Sequence, residues 1–86
     1  MDEKTPYEKA RQVRLAYRDM LLAKPHVIGL GIGYRKIAGQ MTDTIALIVM
    51  VDKKVPASQL RPGDQIPREL EGVPIDVQEV GQVRAL

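Results

Sequence analysis

Cysteine, tryptophan and phenylalanine are absent, and histidine and serine occur once each, as His26 and Ser58. Without cysteine there are no disulfides, no thiolate nucleophile and no thiolate zinc site, while the redox compartment stays open because a cysteine-free chain suits any of them. Only three tyrosines carry aromatic rings, so the stacking platforms of single-strand nucleic-acid binders are largely missing. No apolar run approaches the roughly 18 residues of a membrane span; the longest, 45–51, has the length of a strand. The start, Met-Asp-Glu-Lys, has neither the basic region nor the apolar stretch of a secretory signal, so a cytoplasmic protein with no membrane association is expected.

What is present describes an ordinary small domain. With 86 residues, 44% hydrophobic and 28% charged, the chain supports one core, and 1–86 reads as a single domain. The formal net charge of +2 is too small to drive nucleic-acid binding by itself.

The spacing predicts a helix over 6–23. Thr5 suits the N-cap, Pro6 the first helical position, and Glu8 completes a capping box. Tyr7, Ala10, Val13, Tyr17, Met20 and Leu21 recur at three- and four-residue steps and are expected on the buried face, widened by Leu15 and Leu22. Lys24-Pro25 ends the helix, because the residue before proline is pushed out of the α region. Residues 27–34 read as a strand with Ile28, Leu30, Ile32 and Tyr34 on one face and Val27, Gly29, Gly31 and Gly33 on the other. A hairpin loop over 35–43, longer than the tightest turns, leads to a strand over 44–52 that is apolar on both faces and so belongs in mid-sheet. Three prolines and two glycines over 53–72 demand a folded loop. The last strand, 73–80, alternates apolar and polar residues. Its Pro74 cannot donate to a ladder, which suggests a sheet edge or an amide turned away. Gly81 breaks it, and 82–86 reads as a fraying end or the start of a linker.

Four features invite a chemical reading. Ser58 and His26 are the only serine and histidine, and a lone histidine at a helix-to-strand junction is more often structural than catalytic, so no enzyme is expected. One histidine with scattered carboxylates does not make a metal site, and no cofactor is expected. Gly29-Leu30-Gly31-Ile32-Gly33 resembles a phosphate loop only superficially: Tyr34 stands where the dinucleotide fingerprint needs glycine, and no helix signal follows. Alternate glycines in a strand are better read as room for close packing. Arg11, Arg14 and Arg18, with Lys4, Lys9 and Lys24 nearby, form a basic row open to an anionic partner, against the plainer reading of a solvated helix face diluted by Glu8 and Asp19.

The order of segments carries more than any one residue. The Val27-Ile28-Gly29-Leu30-Gly31-Ile32-Gly33-Tyr34 strand, Thr42-Asp43, the apolar strand to Val51, Lys54 with Pro56, Leu60, Ile66-Pro67, and Gly72-Val73-Pro74-Ile75-Asp76-Val77 before Gly81 together resemble the N-terminal region of bacterial trypsin-like serine peptidase-related proteins. The resemblance covers about 27–86. It implies an accessory segment ahead of a peptidase domain that would hold the catalytic groups, none of which map onto this chain.

These readings combine into a two-layer α+β fold, one N-terminal helix on a small sheet of about three mainly antiparallel strands, with the first two a hairpin and the third returning after a proline-rich crossover. The helix is expected to cover the glycine face. Ile28, Leu30, Ile32 and Tyr34 would then meet the crossover loop or another protein. The expected function is a non-catalytic accessory or protein-interaction domain, docked to a peptidase-like domain in cis or self-associating as an oligomer through its sheet. The alternative is a nucleic-acid or anionic-partner module using Arg11, Arg14 and Arg18.

Overall fold

The computed structural model describes residues 5–80. Lys4 of the basic row, the acidic start, the break at Gly81 and the end segment 82–86 lie outside the described residues.

Helix α1, Pro6–Leu22, begins where the cap chemistry places it: Thr5 Oγ1 accepts the Glu8 amide at 3.2 Å, and Pro6 occupies the first turn. Its end is marked by Ala23 and Lys24, whose amides return to the Asp19 and Leu21 carbonyls before Pro25. Ala10, Val13 and Leu21 are buried, with Tyr17 packed beside them, a stripe at steps of three and four residues. This stripe is narrower than expected. Tyr7 and Met20 lie on its margins and Leu15 lies well off it, 64% exposed.

Strands β1 (Val27–Ile37) and β2 (Gln40–Val51) form an antiparallel hairpin, and β3 (Glu69–Leu70) and β4 (Val73–Glu79) complete a four-stranded sheet in the order β1-β2-β4-β3. The α+β class holds. The sheet is mixed: β2 and β4 are parallel, which the long crossover between them permits, and the short β3 adds a strand the sequence did not reveal. β2 is in mid-sheet as its two apolar faces demanded, and it places Leu47, Val49 and Val51 under α1 together with Val73 and Ile75.

The hairpin loop is shorter than its composition suggested. Only Ala38 and Gly39 separate the strands, at φ 51° and 79°, the two positive values that match the twist of a hairpin. The polar residues to either side are strand residues. Of the two placements expected for Pro74, the sheet edge does not hold, since β4 lies inside the sheet; the pairing of β4 with β2 starts only at Ile75, so the ladder to β2 needs no amide at the proline.

The largest departure concerns which face α1 covers. The β1–β2 register slips between Val27 and Gly29, so Ile28 is an extra residue. Side chains alternate with period two, and a slip of one residue exchanges the faces. Val27 therefore joins Leu30 and Ile32 beneath α1, while the glycines face the other way. A Cβ added at Gly29 would stand 3.0 Å from Met50 Cε, and one at Gly33 would stand 3.6 Å from Ile48 Cγ1. The glycines thus make room for two side chains of β2, and the helix is on the opposite face. That face is closed in part by the hairpin itself. Ala46 is fully buried there, and the Lys36 amide donates to Asp76 Oδ2 at 3.0 Å, which requires the far end of the hairpin to bend back across the sheet.

The crossover runs on the α1 side. Lys24 Nζ donates to the Gly63 carbonyl at 2.7 Å, and Ile66 and Leu70 pack against the core. Among the described residues, no helix is long and apolar enough to cross a membrane.

Two outcomes follow for stability. Gly31→Ala and Gly33→Ala, whose added methyl groups meet only ordinary contacts at 3.8 Å and 3.6 Å, are expected to raise stability by about 0.4–1 kcal/mol in urea denaturation. A loss would mean that a close neighbour covers this face. Ala38→Asn, which converts the turn to Asn-Gly, is expected to stabilise by about 0.5–1 kcal/mol, read as a thermal midpoint several degrees higher.

Candidate functional site

Two surfaces carry chemistry. The first is a cavity of about 820 Å³ between the Pro25-His26 corner, Val51 of β2, Val77 of β4 and the crossover loop. Val51, Val77, Leu60 and Ile66 line it with apolar surface, and Lys53, Lys54, Arg68 and His26 bring positive or protonatable groups to it. His26 sits at φ 68°, a left-handed conformation that histidine adopts more readily than most residues. Its Nδ1 lies 2.9 Å from Asp52 Oδ1, and its carbonyl accepts the Asp52 amide at 3.0 Å. The imidazole is therefore held by a carboxylate, as a general base would be, an arrangement sequence reasoning missed because Asp52 is 26 positions away. Ser58 does not join it. It lies in the short 3-10 turn Ala57–Gln59 and is not among the residues lining the cavity. Among the described residues there is also no group of three or more histidines and carboxylates placed to hold a metal ion.

The second surface is the outer side of β1. Because β1 ends the strand order, its outward backbone groups have no neighbouring strand among the described residues. Beside it runs a groove of about 380 Å³ lined by Arg14, Leu15, Arg18 and Leu22 of α1 and by Ile28, Gly29 and Leu30 of β1. Helical periodicity explains the α1 contribution: Arg14, Arg18 and Leu22 follow at four-residue steps and Leu15 adjoins them. The strand's contribution follows from the bulge, which leaves Ile28 51% exposed at the rim.

The structure thus joins residues that the sequence had assigned to separate features. Arg14 and Arg18 of the basic row meet Ile28 and Leu30 of the apolar strand face. Arg11 is exposed and not among the residues lining the groove. Leu30 and Ile32 pack against the core under α1, so they do not form the open sheet face expected of them, and Tyr34 is half exposed toward the far end of β1. Arg18 also pairs with Asp19 at 3.3 Å, but both side chains are well exposed and such a pair is weak.

Fold and surface together define a small α+β domain in which one helix backs a mixed sheet with a free edge strand. The chain belongs to the NARROW LEAF 1 N-terminal domain family, whose model matches residues 12–81. No curated protein matches the chain. This family assignment corrects the resemblance to bacterial trypsin-like serine peptidase-related proteins, and removes the ground for expecting a bacterial peptidase domain in cis. By its description the family is the N-terminal part of a larger protein, which agrees with the coarser expectation of an accessory domain.

The His26–Asp52 pair is about two-fifths exposed on each side, so Asp52→Ala is expected to change unfolding free energy by less than about 1 kcal/mol in denaturant titration. A larger loss would show that the pair anchors the corner between α1 and β1.

Proposed function

We propose that this domain is a non-catalytic accessory module that binds protein through the side of the molecule formed by α1 and β1. The observation that carries the reading is the unprotected edge of β1 lying against a groove that combines apolar and cationic side chains. Exposed apolar surface rimmed by polar groups is characteristic of interaction sites, and Leu15 and Ile28 supply it here.

Site-specific photocrosslinking tests the reading. With a benzophenone side chain replacing Ile28 in cells that make the protein, discrete protein adducts are expected, and the same group at Asp43 on the hairpin is expected to give none. Adducts at neither position, or equally at both, would remove the assignment of this side as the binding surface. Hydrolytic activity that disappears on His26→Ala would remove its non-catalytic part.

A further inference from the structure

We infer that the free edge of β1 accepts an acidic, extended segment of a partner protein as a fifth strand, with carboxylates placed on the α1 side and bulky apolar side chains on the glycine side. This rests on the protein-binding reading above and adds the chemistry of the partner and the way it is held.

Between the slip at Ile28 and the irregularity after Tyr34, residues 29–34 pair with β2 in unbroken antiparallel register. On such a strand alternate residues direct both N–H and C=O away from the existing partner. Natural sheets protect an edge of this kind with lysine, proline, inward-pointing charge or a bulge. The run Gly-Leu-Gly-Ile-Gly-Tyr has none of the first three, and the bulge lies just outside it. Only another polypeptide offers main-chain donors and acceptors at the matching spacing, so the edge selects a protein over a nucleic acid.

The two faces of the edge then specify side chains. On the side away from α1, Gly29, Gly31 and Gly33 present bare backbone, and only Met50 and Ile48 of β2 lean toward them. Large side chains of an added strand can lie flat across those glycines, the same way that aromatic residues cover glycine in neighbouring strands. On the α1 side the added strand runs beside the groove, where Arg14 and Arg18 are the charged residues among the described ones; Asp19, which pairs weakly with Arg18 at 3.3 Å, does not line it. Arg35 and Lys36 continue the positive charge past the far end of the run. A second copy of this chain is a poor occupant. Antiparallel pairing across 29–34 would set Arg14 and Arg18 of each copy toward Arg35 and Lys36 of the other, and parallel pairing would set like arginines together.

The test uses the whole chain, isotopically labelled, and a capped peptide alternating glutamate and tyrosine. Amide shifts are expected to concentrate in 29–34 and around Arg14 and Arg18, and to weaken with added salt. The double variant Arg14→Glu, Arg18→Glu is expected to bind roughly tenfold more weakly, as loss and reversal of two exposed charge contacts implies. Arg14→Gln with Arg18→Gln gives the same direction with smaller effect if charge reversal disturbs folding. A peptide methylated on alternate backbone nitrogens, and one with lysine in place of glutamate, are both expected to fail. Equal binding of the methylated peptide would overturn strand addition while leaving the protein-binding reading to the crosslinking result. No binding of the glutamate peptide, or tighter binding of a single-stranded oligonucleotide at the same residues, would overturn the acidic partner.

Discussion

The extra residue at Ile28 brings Val27 onto the face of β1 that Leu30 and Ile32 turn toward the helix, and the apolar layer of the core depends on that shared facing. A strand has two faces in strict alternation, and one helix can cover one of them. Without the slip, Val27 would share a face with the three glycines. With it, Val27, Leu30 and Ile32 join Leu47, Val49 and Val51 under α1, and the core gains a continuous apolar layer. The glycines then have to face away. The sheet can still be closed on that side because Met50 and Ile48 fold over the space they leave, and because the hairpin bends until the Lys36 amide reaches Asp76.

The same facing shapes the surfaces. With α1 over the apolar face, the flank of the helix that carries Arg14, Leu15, Arg18 and Leu22 comes to lie along the outer strand, so a basic helix row and an apolar strand rim become one groove. The crossover returns on the α1 side and brings β4 parallel to β2. It packs Ile66 against the core, and the larger cavity opens between it and the Pro25-His26 corner. Neither surface is a property of one element. Membership of the NARROW LEAF 1 N-terminal domain family identifies the chain without assigning either surface a role.

Local chemistry was legible in the chain. Thr5, Pro6 and Pro25 bracket the helix because capping and the constraint before proline act within a few residues, and the double-sided apolar run of β2 could only be satisfied in mid-sheet. The site was legible only in fragments: Arg14 and Arg18 were visible as a helical row and Ile28 and Leu30 as strand positions, with no signal that they meet. The bulge could not be read because one inserted residue leaves the composition and the alternation of 29–34 untouched. The tight Ala38-Gly39 turn leaves no clear signal because alanine seldom accepts a positive φ, and the two-residue β3 is too short to show any period.

By itself, then, the amino-acid order determined the helix and its ends, three of the four strands, the hairpin, the α+β class and the absence of thiol chemistry, since each follows from interactions between near neighbours or from composition. Only the tertiary structure decided the facing of the glycines, the meeting of the arginines with Ile28, the pairing of His26 with Asp52 and the exposure of the β1 edge. These depend on register and crossover path, which are set by the joint packing of segments distant in the chain and leave no mark in any short stretch of it.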